Sequence, residues 1–378
     1  MSITTPRSTV CFVAAHSGGH MLPCLTLARQ LQSRHQILFV SLDRPLERGI
    51  LQQAPTVIDQ LAYVNLPKFP YRKFWLYPQF VRQLFTSLRT SYRILKQAQA
   101  TRVITTGGVS AIPVCYAARL LRIPIELYEL NLEPGLAVQW IAPVAHTIKV
   151  CFPISKRYFR ANDQARCELV RYPVRFTAQE LALTKTHLLQ TLPPKLASFT
   201  AGRKTILILG GSQGSAFLNS LAAELLKLPL PIQVIHQVGG AINVSPNASS
   251  MPALRQTAAL TTSGGNFKAA PGKLISEFQA LYQAQQTPAY VFSYDADMAP
   301  LYTLADVVIT RAGAGVLAEL ACFGRPAVII PLQTAQTAHQ VANANSWSQL
   351  YPQLFRVVTQ NELEREPALL LAKLQELW

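Results

Sequence analysis

Three short stretches of this sequence put glycines where a backbone must pass close to something other than itself. They are Ala14-Ala15-His16-Ser17-Gly18-Gly19-His20, Gly210-Gly211-Ser212-Gln213-Gly214-Ser215 and Thr310-Arg311-Ala312-Gly313-Ala314-Gly315. Each follows a short apolar run and opens a helical pattern. Glycine permits close backbone approach, and a helix N-terminus offers unpaired N–H groups to an anion. Such loops suit phosphate-bearing ligands. None reads GxGxxG or GxxxxGK followed by Ser or Thr, so hydride cofactors and P-loop chemistry lose support. One such loop would be weak evidence, because many strand-to-helix turns carry glycine for packing alone. Loops on both halves of the chain point to nucleotide-sugar transfer first and to another phospholigand enzyme second.

The elements that must hold these loops alternate. In the first half, apolar runs at 10–15, 36–42, 60–64, 103–106, 125–128 and 147–151 read as strands, with helices starting near His20, Pro78, Ala111 and Leu136. In the second, strands at 205–209, 232–237, 290–292, 307–310 and 327–330 alternate with helices near Ser215, Met298, Gly315 and Gln336. Strands apolar on both faces and separated by helices mean parallel sheets. The fold class is therefore α/β, with two doubly wound domains whose ligand loops lie at the carboxyl edges of the strands. A length of 378 residues is comfortable for two domains. The expected organisation is a first domain over 1–176, a linker over 177–203 that contains Pro193-Pro194, a second domain over 204–360 and a terminal helix over 361–378 that starts Asn361-x-x-Glu364. The Ser/Asn/Gly/Pro-rich stretch from 239 to about 271 reads as a surface loop.

Composition narrows the class further. Hydrophobic residues make up 49% and charged residues only 14%, which argues against disorder and for large cores. No run approaches the ~18 apolar residues of a membrane span. The apolar run after Thr9 is too short for a signal peptide, so the chain is expected in the cytosol. The six cysteines (11, 24, 115, 151, 167 and 322) form no CxxC pair or Cys/His cluster and read as reduced core residues, with no metal site.

The net charge of +16 is lopsided: 22 basic and 8 acidic side chains fall within 1–176, against 13 and 11 beyond. No acid lies between Asp59 and Glu126, where ten Lys or Arg occur. That desert contains Lys68, Phe69, Arg72, Lys73, Phe74 and Trp75, then a helical pattern with an apolar stripe at 80, 81, 84, 85, 88, 92 and 95. Basic residues beside aromatics suit single-stranded nucleic acid or an anionic membrane surface. Nothing resembles a nucleic-acid module. The membrane patch is the reading that uses both residue types; a core helix with a solvated basic side is the alternative.

At these loops the sequence resembles a family. Ser17-Gly18-Gly19-His20, Glu129-x-Asn131-x-x-Pro134-Gly135, Pro173-Val174-Arg175, Gly210-Gly211-Ser212-Gln213-Gly214, Asp297-Met298, Ala305-Asp306-Val307-Val308, Arg311-x-Gly313-Ala314, Glu319 and His339-Gln340-x-x-Asn343-Ala344 fall in the order and approximate spacing of the MurG family, the peptidoglycan glycosyltransferases of glycosyltransferase family 28. The resemblance implies the GT-B fold: two Rossmann-like domains facing a deep cleft, with a final helix that packs back on the first domain. It implies inverting transfer of N-acetylglucosamine from UDP-GlcNAc to the C4 hydroxyl of the muramoyl sugar of undecaprenyl-linked lipid I, forming lipid II. No metal or other cofactor is implied. The implied location is peripheral, on the cytoplasmic face of the plasma membrane. Implied partners are UDP-GlcNAc, lipid I, an anionic membrane surface and other cell-wall synthesis proteins, without nucleic acid.

Residue roles carry over position by position. Ser212 and Gln213 are implied at the diphosphate. Ala314, Gly315, Val316, Leu317, Ala318 and Glu319 are implied at the uridine, with Glu319 on the ribose hydroxyls. The backbone near Asp295 is implied at the uracil edge, and Gln340 and Asn343 at the sugar hydroxyls. Ser17, Gly18, Gly19, Asn131 and Arg175 match further donor contacts, while Glu129, Gly107 and Gly108 lie on the acceptor side. His20, beside the first loop and with imidazole chemistry near neutrality, is the general-base candidate. A histidine that only orients the loop is its alternative.

Three departures from the family pattern lie in the first domain. Ala15-His16 stands where the family has Gly-Gly, Gly107-Gly108-Val109-Ser110-Ala111-Ile112-Pro113 lacks the family's tyrosine, and Arg171-Tyr172 replaces Gly-Asn. The donor is therefore more firmly implied than the acceptor. A glycosyltransferase acting on another membrane lipid such as diacylglycerol, or a catalytically weakened UDP-sugar- or membrane-binding scaffold, are the rival readings.

Overall fold

The computed structural model describes residues 7–14, 18–52, 56–66, 75, 77–211, 214–228, 231–239, 271–333 and 338–378. The chain separates into two compact units, Met1–Arg175 and Phe176–Trp378. The surface-loop reading of 239–271 falls almost wholly outside the described residues.

The first unit is built on β1 (Thr9–Val13), β2 (Gln36–Ser41), β3 (Gln60–Tyr63), β4 (Ala100–Thr105), β5 (Ile125–Glu129), β6 (Thr147–Val150) and β7 (Cys167–Leu169). They form one sheet in the order β3-β2-β1-β4-β5-β6-β7, and every pairing is parallel. Alternation along β1 shows why its whole sequence is apolar. Val10 and Phe12 join a core with Met21 and Cys24 of the Gly18–Leu31 helix, whereas Cys11 and Val13 join the opposite core with Val114 and Cys115 of the Ala111–Leu120 helix. A strand covered on both faces has no polar side to show.

The second unit repeats the plan with β8 (Lys204–Leu209), β9 (Ile232–Gln237), β10 (Ala289–Phe292), β11 (Val307–Thr310), β12 (Ala327–Ile329) and β13 (Phe355–Val357), in the order β10-β9-β8-β11-β12-β13. In each sheet the strand order reverses once, between β1 and β4 and between β8 and β11. Ligands of doubly wound sheets bind outside the carboxyl ends at that reversal. All three glycine loops leave strands that flank one of the reversals.

Several sequence expectations change. The edge strands β7 and β13 escaped the pattern because each is three residues with a charged centre, Cys-Glu-Leu and Phe-Arg-Val. The stretch 177–203 belongs with the second unit: Lys185 Nζ donates to both carboxylate oxygens of Asp306 at 2.7 and 2.6 Å, and Lys195 Nζ to Asp295 at 2.7 Å. The chain end forms two helices, Gln360–Arg365 and Ala368–Gln375, because Pro367 interrupts the run. The capping box is Thr359 with Glu362, two residues before the expected Asn361 with Glu364. The last helix buries Leu370 and Leu374 in the core of the second unit.

The basic helix also differs. Over Tyr77–Gln97 the face turned to the core carries Ser87, Ser91 and Leu95, with Leu88 and Tyr92 beside them. Small serines let this helix lie close, and each hydroxyl is satisfied by a carbonyl, Ser87 by Asn65 O at 2.5 Å and Ser91 by Ser87 O at 2.7 Å. Tyr77, Val81 and Phe85, four residues apart, face solvent at 41%, 46% and 66% exposure. Of the cysteines, Cys11, Cys24, Cys115 and Cys167 are buried, Cys151 is partly buried and Cys322 is exposed.

Candidate functional site

At the carboxyl edge of the first sheet, residues from three strands converge. His20 sits in the first turn of the Gly18–Leu31 helix, and its Nδ1 lies 2.8 Å from Thr106 O. A carbonyl can only accept, so Nδ1 carries the proton and the basic lone pair is on Nε2. Thr106 Oγ1 returns a hydrogen bond to His20 O at 2.8 Å, which fixes the helix start against the end of β4. Gly107 follows with φ +94°; a Cβ there would meet Val138 Cγ2 at 2.9 Å and stand 3.9 Å from His20 Cε1. Only glycine combines that backbone with that approach. Gly108, at φ +95°, continues the turn.

Glu129 ends β5 and is 1% exposed. Its Oε1 accepts from Asn131 N at 2.8 Å and Asn131 Nδ2 at 3.2 Å, while Oε2 is buried without a hydrogen bond of good geometry. Burial pushes its pKa up to about 7, against the lowering effect of the Asn131 amides and the Gly135 and Leu130 backbone N–H groups. A carboxyl poised there can take up or release a proton at neutral pH. The Ser110 hydroxyl, at the N-cap of the Ala111–Leu120 helix, is likewise buried without a partner. Gly19 is exposed on the first helix, Ser17 lies outside the described residues, and Arg175, half-buried, closes the unit.

The edge of the second sheet handles charge differently. Gly210, Gly211 and Gly214 lead from β8 into the Ala216–Leu225 helix, which Ser215 caps by accepting from Leu218 N; Ser212 and Gln213 lie outside the described residues. After β11, Arg311 donates to Ser215 Oγ from Nε and Nη2 (3.2 and 2.9 Å), to Ile330 O and to Gln360 Oε1. The Ala314–Cys322 helix starts at Gly313 without any side-chain cap. This helix contains Ala314, Gly315, Val316, Leu317, Ala318 and Glu319, of which Gly315, Val316 and Glu319 are only partly buried. Glu319 Oε2 accepts from the buried Tyr302 hydroxyl at 2.7 Å, and Tyr302 is wedged edge-on against Phe176.

The remaining implied donor contacts are engaged within the second unit. Gln340 Oε1 accepts from Leu332 N at 3.1 Å. Asn343 is fully buried and donates to Ala312 O at 3.4 Å, tying the Ala338–Leu350 helix to the loop after β11. Asp295 accepts from Lys195, from Tyr290 Oη at 2.9 Å and from Asp297 N at 2.9 Å, so its carboxylate is a pillar for the loop that presents the nearby backbone. In the membrane patch, Lys68, Phe69, Arg72, Lys73 and Phe74 lie outside the described residues, whereas Trp75 is 61% exposed.

Sequence reading had given Arg311, Ser215 and Tyr302 no role. Arg311 stood inside a recognised loop, but nothing in spacing says what a guanidinium will touch.

Two family descriptions match the chain. The N-terminal domain of glycosyltransferase family 28 matches residues 10–150, and the C-terminal domain of the same family matches residues 205–377. A UDP-N-acetylglucosamine–N-acetylmuramyl-(pentapeptide) pyrophosphoryl-undecaprenol N-acetylglucosamine transferase of Pseudomonas paraeruginosa is 30% identical over 342 residues, covering 89% of this chain and 82% of that protein. The transferase of the same name from Thermodesulfovibrio yellowstonii is 29% identical over 342 residues, 89% of this chain and 81% of the relative. The crystal structure of Acinetobacter baumannii MurG superposes with a TM-score of 0.67 at 24% identity, covering 98% of this chain and 91% of that one. Two parallel-sheet domains with these neighbours make the fold GT-B.

Proposed function

This chain belongs to glycosyltransferase family 28, and on that premise we propose that it transfers N-acetylglucosamine from UDP-GlcNAc to the C4 hydroxyl of the muramoyl sugar of undecaprenyl-linked lipid I, with inversion, to form lipid II. The observation that carries this reading is the match of both halves to transferases of that name. In the reaction the C4 oxygen attacks C1 of the donor sugar as UDP departs, through a transition state with oxocarbenium character. Charge developing on the diphosphate is met by the glycine-loop and helix-start N–H groups of the second sheet. Glu319, oriented by Tyr302, accepts from the ribose hydroxyls. His20 removes the C4 proton: with Nδ1–H held by Thr106 O, Nε2 is the basic atom.

A second reading of the base rests on one observation. Glu129 has a carboxylate oxygen without a hydrogen-bond partner and a pKa near neutrality, which suits it to accept the same proton. Comparing His20→Ala with Glu129→Gln separates the two. Collection of a lipid-linked acceptor accounts for the exposed Trp75, Tyr77, Val81 and Phe85 beside Arg82 and Arg89 as part of a peripheral, anionic-lipid-binding face on the cytoplasmic side. Among the described residues no helix is long and apolar enough to cross a membrane. UDP release from UDP-GlcNAc in the presence of a lipid I analogue tests the whole reading. Release only with a diacylglycerol acceptor, or no release with either, would hand it to one of the rivals.

A further inference from the structure

Arg311 lies across the strand reversal of the second sheet. Its guanidinium reaches Ser215 in the loop that follows β8, Ile330 O just past β12 and Gln360 in the first turn of the helix after β13. All of these acceptors are neutral oxygens. Most other half-buried cations of the unit are offset by acids: Lys185 by Asp306, Lys195 by Asp295, Arg356 and Lys373 by Glu376, and Arg325 by the field of Asp306, while Arg203 donates to Ile232 O without an ion pair. Arg311 has no such partner. Every one of the 19 acids in the chain is among the described residues, and none of the ion pairs includes Arg311. Burial alone pulls its pKa down to about 10. The ring of Phe217, 5.6 Å from Cζ, supplies only a partial counterweight.

A buried cation without an acid destabilises a fold, and an apolar side chain of similar volume would serve packing as well or better. Its retention at a ligand-binding crevice indicates that the missing negative charge arrives with the ligand. The donor inventory agrees. A guanidinium has five N–H groups, and the four hydrogen bonds leave one on Nη1 unassigned.

We propose that Arg311 is the fixed countercharge of the second unit's ligand site: a positioning residue that clamps the Ser215 cap and holds its charge for the diphosphate of a nucleotide. The inference rests on the donor reading above and deepens it, because it places the charge recognition in the β11 loop rather than in the glycine loop alone. It also separates two parts of the ligand. Arg311 should act on the phosphates and leave the nucleoside untouched.

Calorimetric titration of the full chain with UDP and with uridine, in parallel with thermal melting without ligand, tests this. In R311M the UDP affinity should fall about 10–100-fold, the loss of a charged hydrogen-bonding partner. Uridine affinity should hold, and the ligand-free melting temperature should match or exceed the parent's. R311K keeps a charge but cannot grip both Ser215 and Ile330, so its UDP affinity should fall between the two. If R311M does not fold, the ratio of UDP to uridine affinity in R311K decides: a ratio equal to the parent's overturns the proposal. UDP binding unchanged in R311M also overturns it, as does a parallel loss of UDP affinity, uridine affinity and melting temperature, the signature of a strut. A parent protein that binds neither UDP nor uridine would instead overturn the donor reading on which the proposal rests.

Discussion

The two carboxyl edges of this molecule are built on the same topology and treat charge in opposite ways. The first gathers groups that can carry a proton: an imidazole with its tautomer set by Thr106 O, and Glu129 with a pKa raised to about 7. The second gathers groups whose charge or hydrogen bonding is fixed. Arg311 stays cationic, Glu319 is held by a tyrosine hydroxyl, and Asn343 is locked to a backbone carbonyl. One edge is equipped to move a proton and the other to hold an anion in one place. The physical source of the difference is what lies beside each buried group, not the strand order, which is shared.

The largest expected effect breaks the first edge. His20→Ala should lower kcat about 10²–10⁴-fold with little change in the UDP-GlcNAc KM, if the imidazole is the base. A near-normal kcat in this variant, with a collapse in Glu129→Gln, would transfer the role to the carboxyl. Next comes the basic patch of the first unit. Replacing Lys68, Arg72 and Lys73 with Ser should remove roughly 3 kcal/mol of binding to anionic vesicles at low salt, while turnover of a water-soluble acceptor is spared. Co-sedimentation equal to the parent's would move the membrane face elsewhere.

Smaller effects sharpen the second edge. Glu319→Ala should raise the donor KM by the equivalent of about 1.5–3 kcal/mol without loss of fold, and unchanged donor affinity would remove Glu319 from the ribose. Tyr302→Phe removes only the hydroxyl that orients Glu319, so a loss of about 0.5–1.5 kcal/mol is expected. That loss should shrink when 2′-deoxyuridine diphosphate sugar replaces the ribose form, which a general packing defect would not reproduce.

The pH dependence of stability discriminates the edges as well. Glu129 has a folded pKa near 7 against an ordinary value of 4.5, so its contribution favours the fold most below about 4.5 and is lost as pH rises through about 7. Glu129→Gln should therefore melt higher relative to the parent at pH 8 than at pH 5, by an amount on the order of 1–3 kcal/mol. His236 of the second unit runs the other way. Buried with Tyr282 and Asn219 at 3.0 and 3.1 Å, it is held neutral with its pKa lowered to about 3, so the stability it contributes is lost as pH falls from 6.5 toward 3. Equal melting shifts at both pH values for Glu129→Gln would mean that its carboxyl is not strained.

Much of the fold was legible in local pattern. Apolar runs bounded by glycine turns mark the central strands within one to three residues, because a strand buried on both faces leaves little room for polar residues. Glycine at 107 and 108 announces a backbone that ordinary residues resist. The terminal helices show where such reading stops. Pro367 splits the run, and the apolar face of the last helix carries no label saying which of two cores it will fill; Leu370 and Leu374 went to the second. The Tyr77–Gln97 helix is similar: of its apolar stripe, Leu88, Tyr92 and Leu95 pack on the core beside Ser87 and Ser91, whereas Val81 and Phe85 face solvent.

For the site, residue types and order marked out the glycine loops, and His20, Glu129 and Glu319 entered as candidates through the family resemblance. Their protonation and orientation were not readable. Which nitrogen of His20 is basic depends on a carbonyl 86 residues away, and Glu129 owes its raised pKa to a core assembled from several strands. Arg311 is the sharpest case. As one cation in a sequence of 35 basic residues it is unremarkable, and only the packed second unit reveals that no acid reaches it. Charge is written in the chain, but its compensation is a property of distance, and distances exist only after folding.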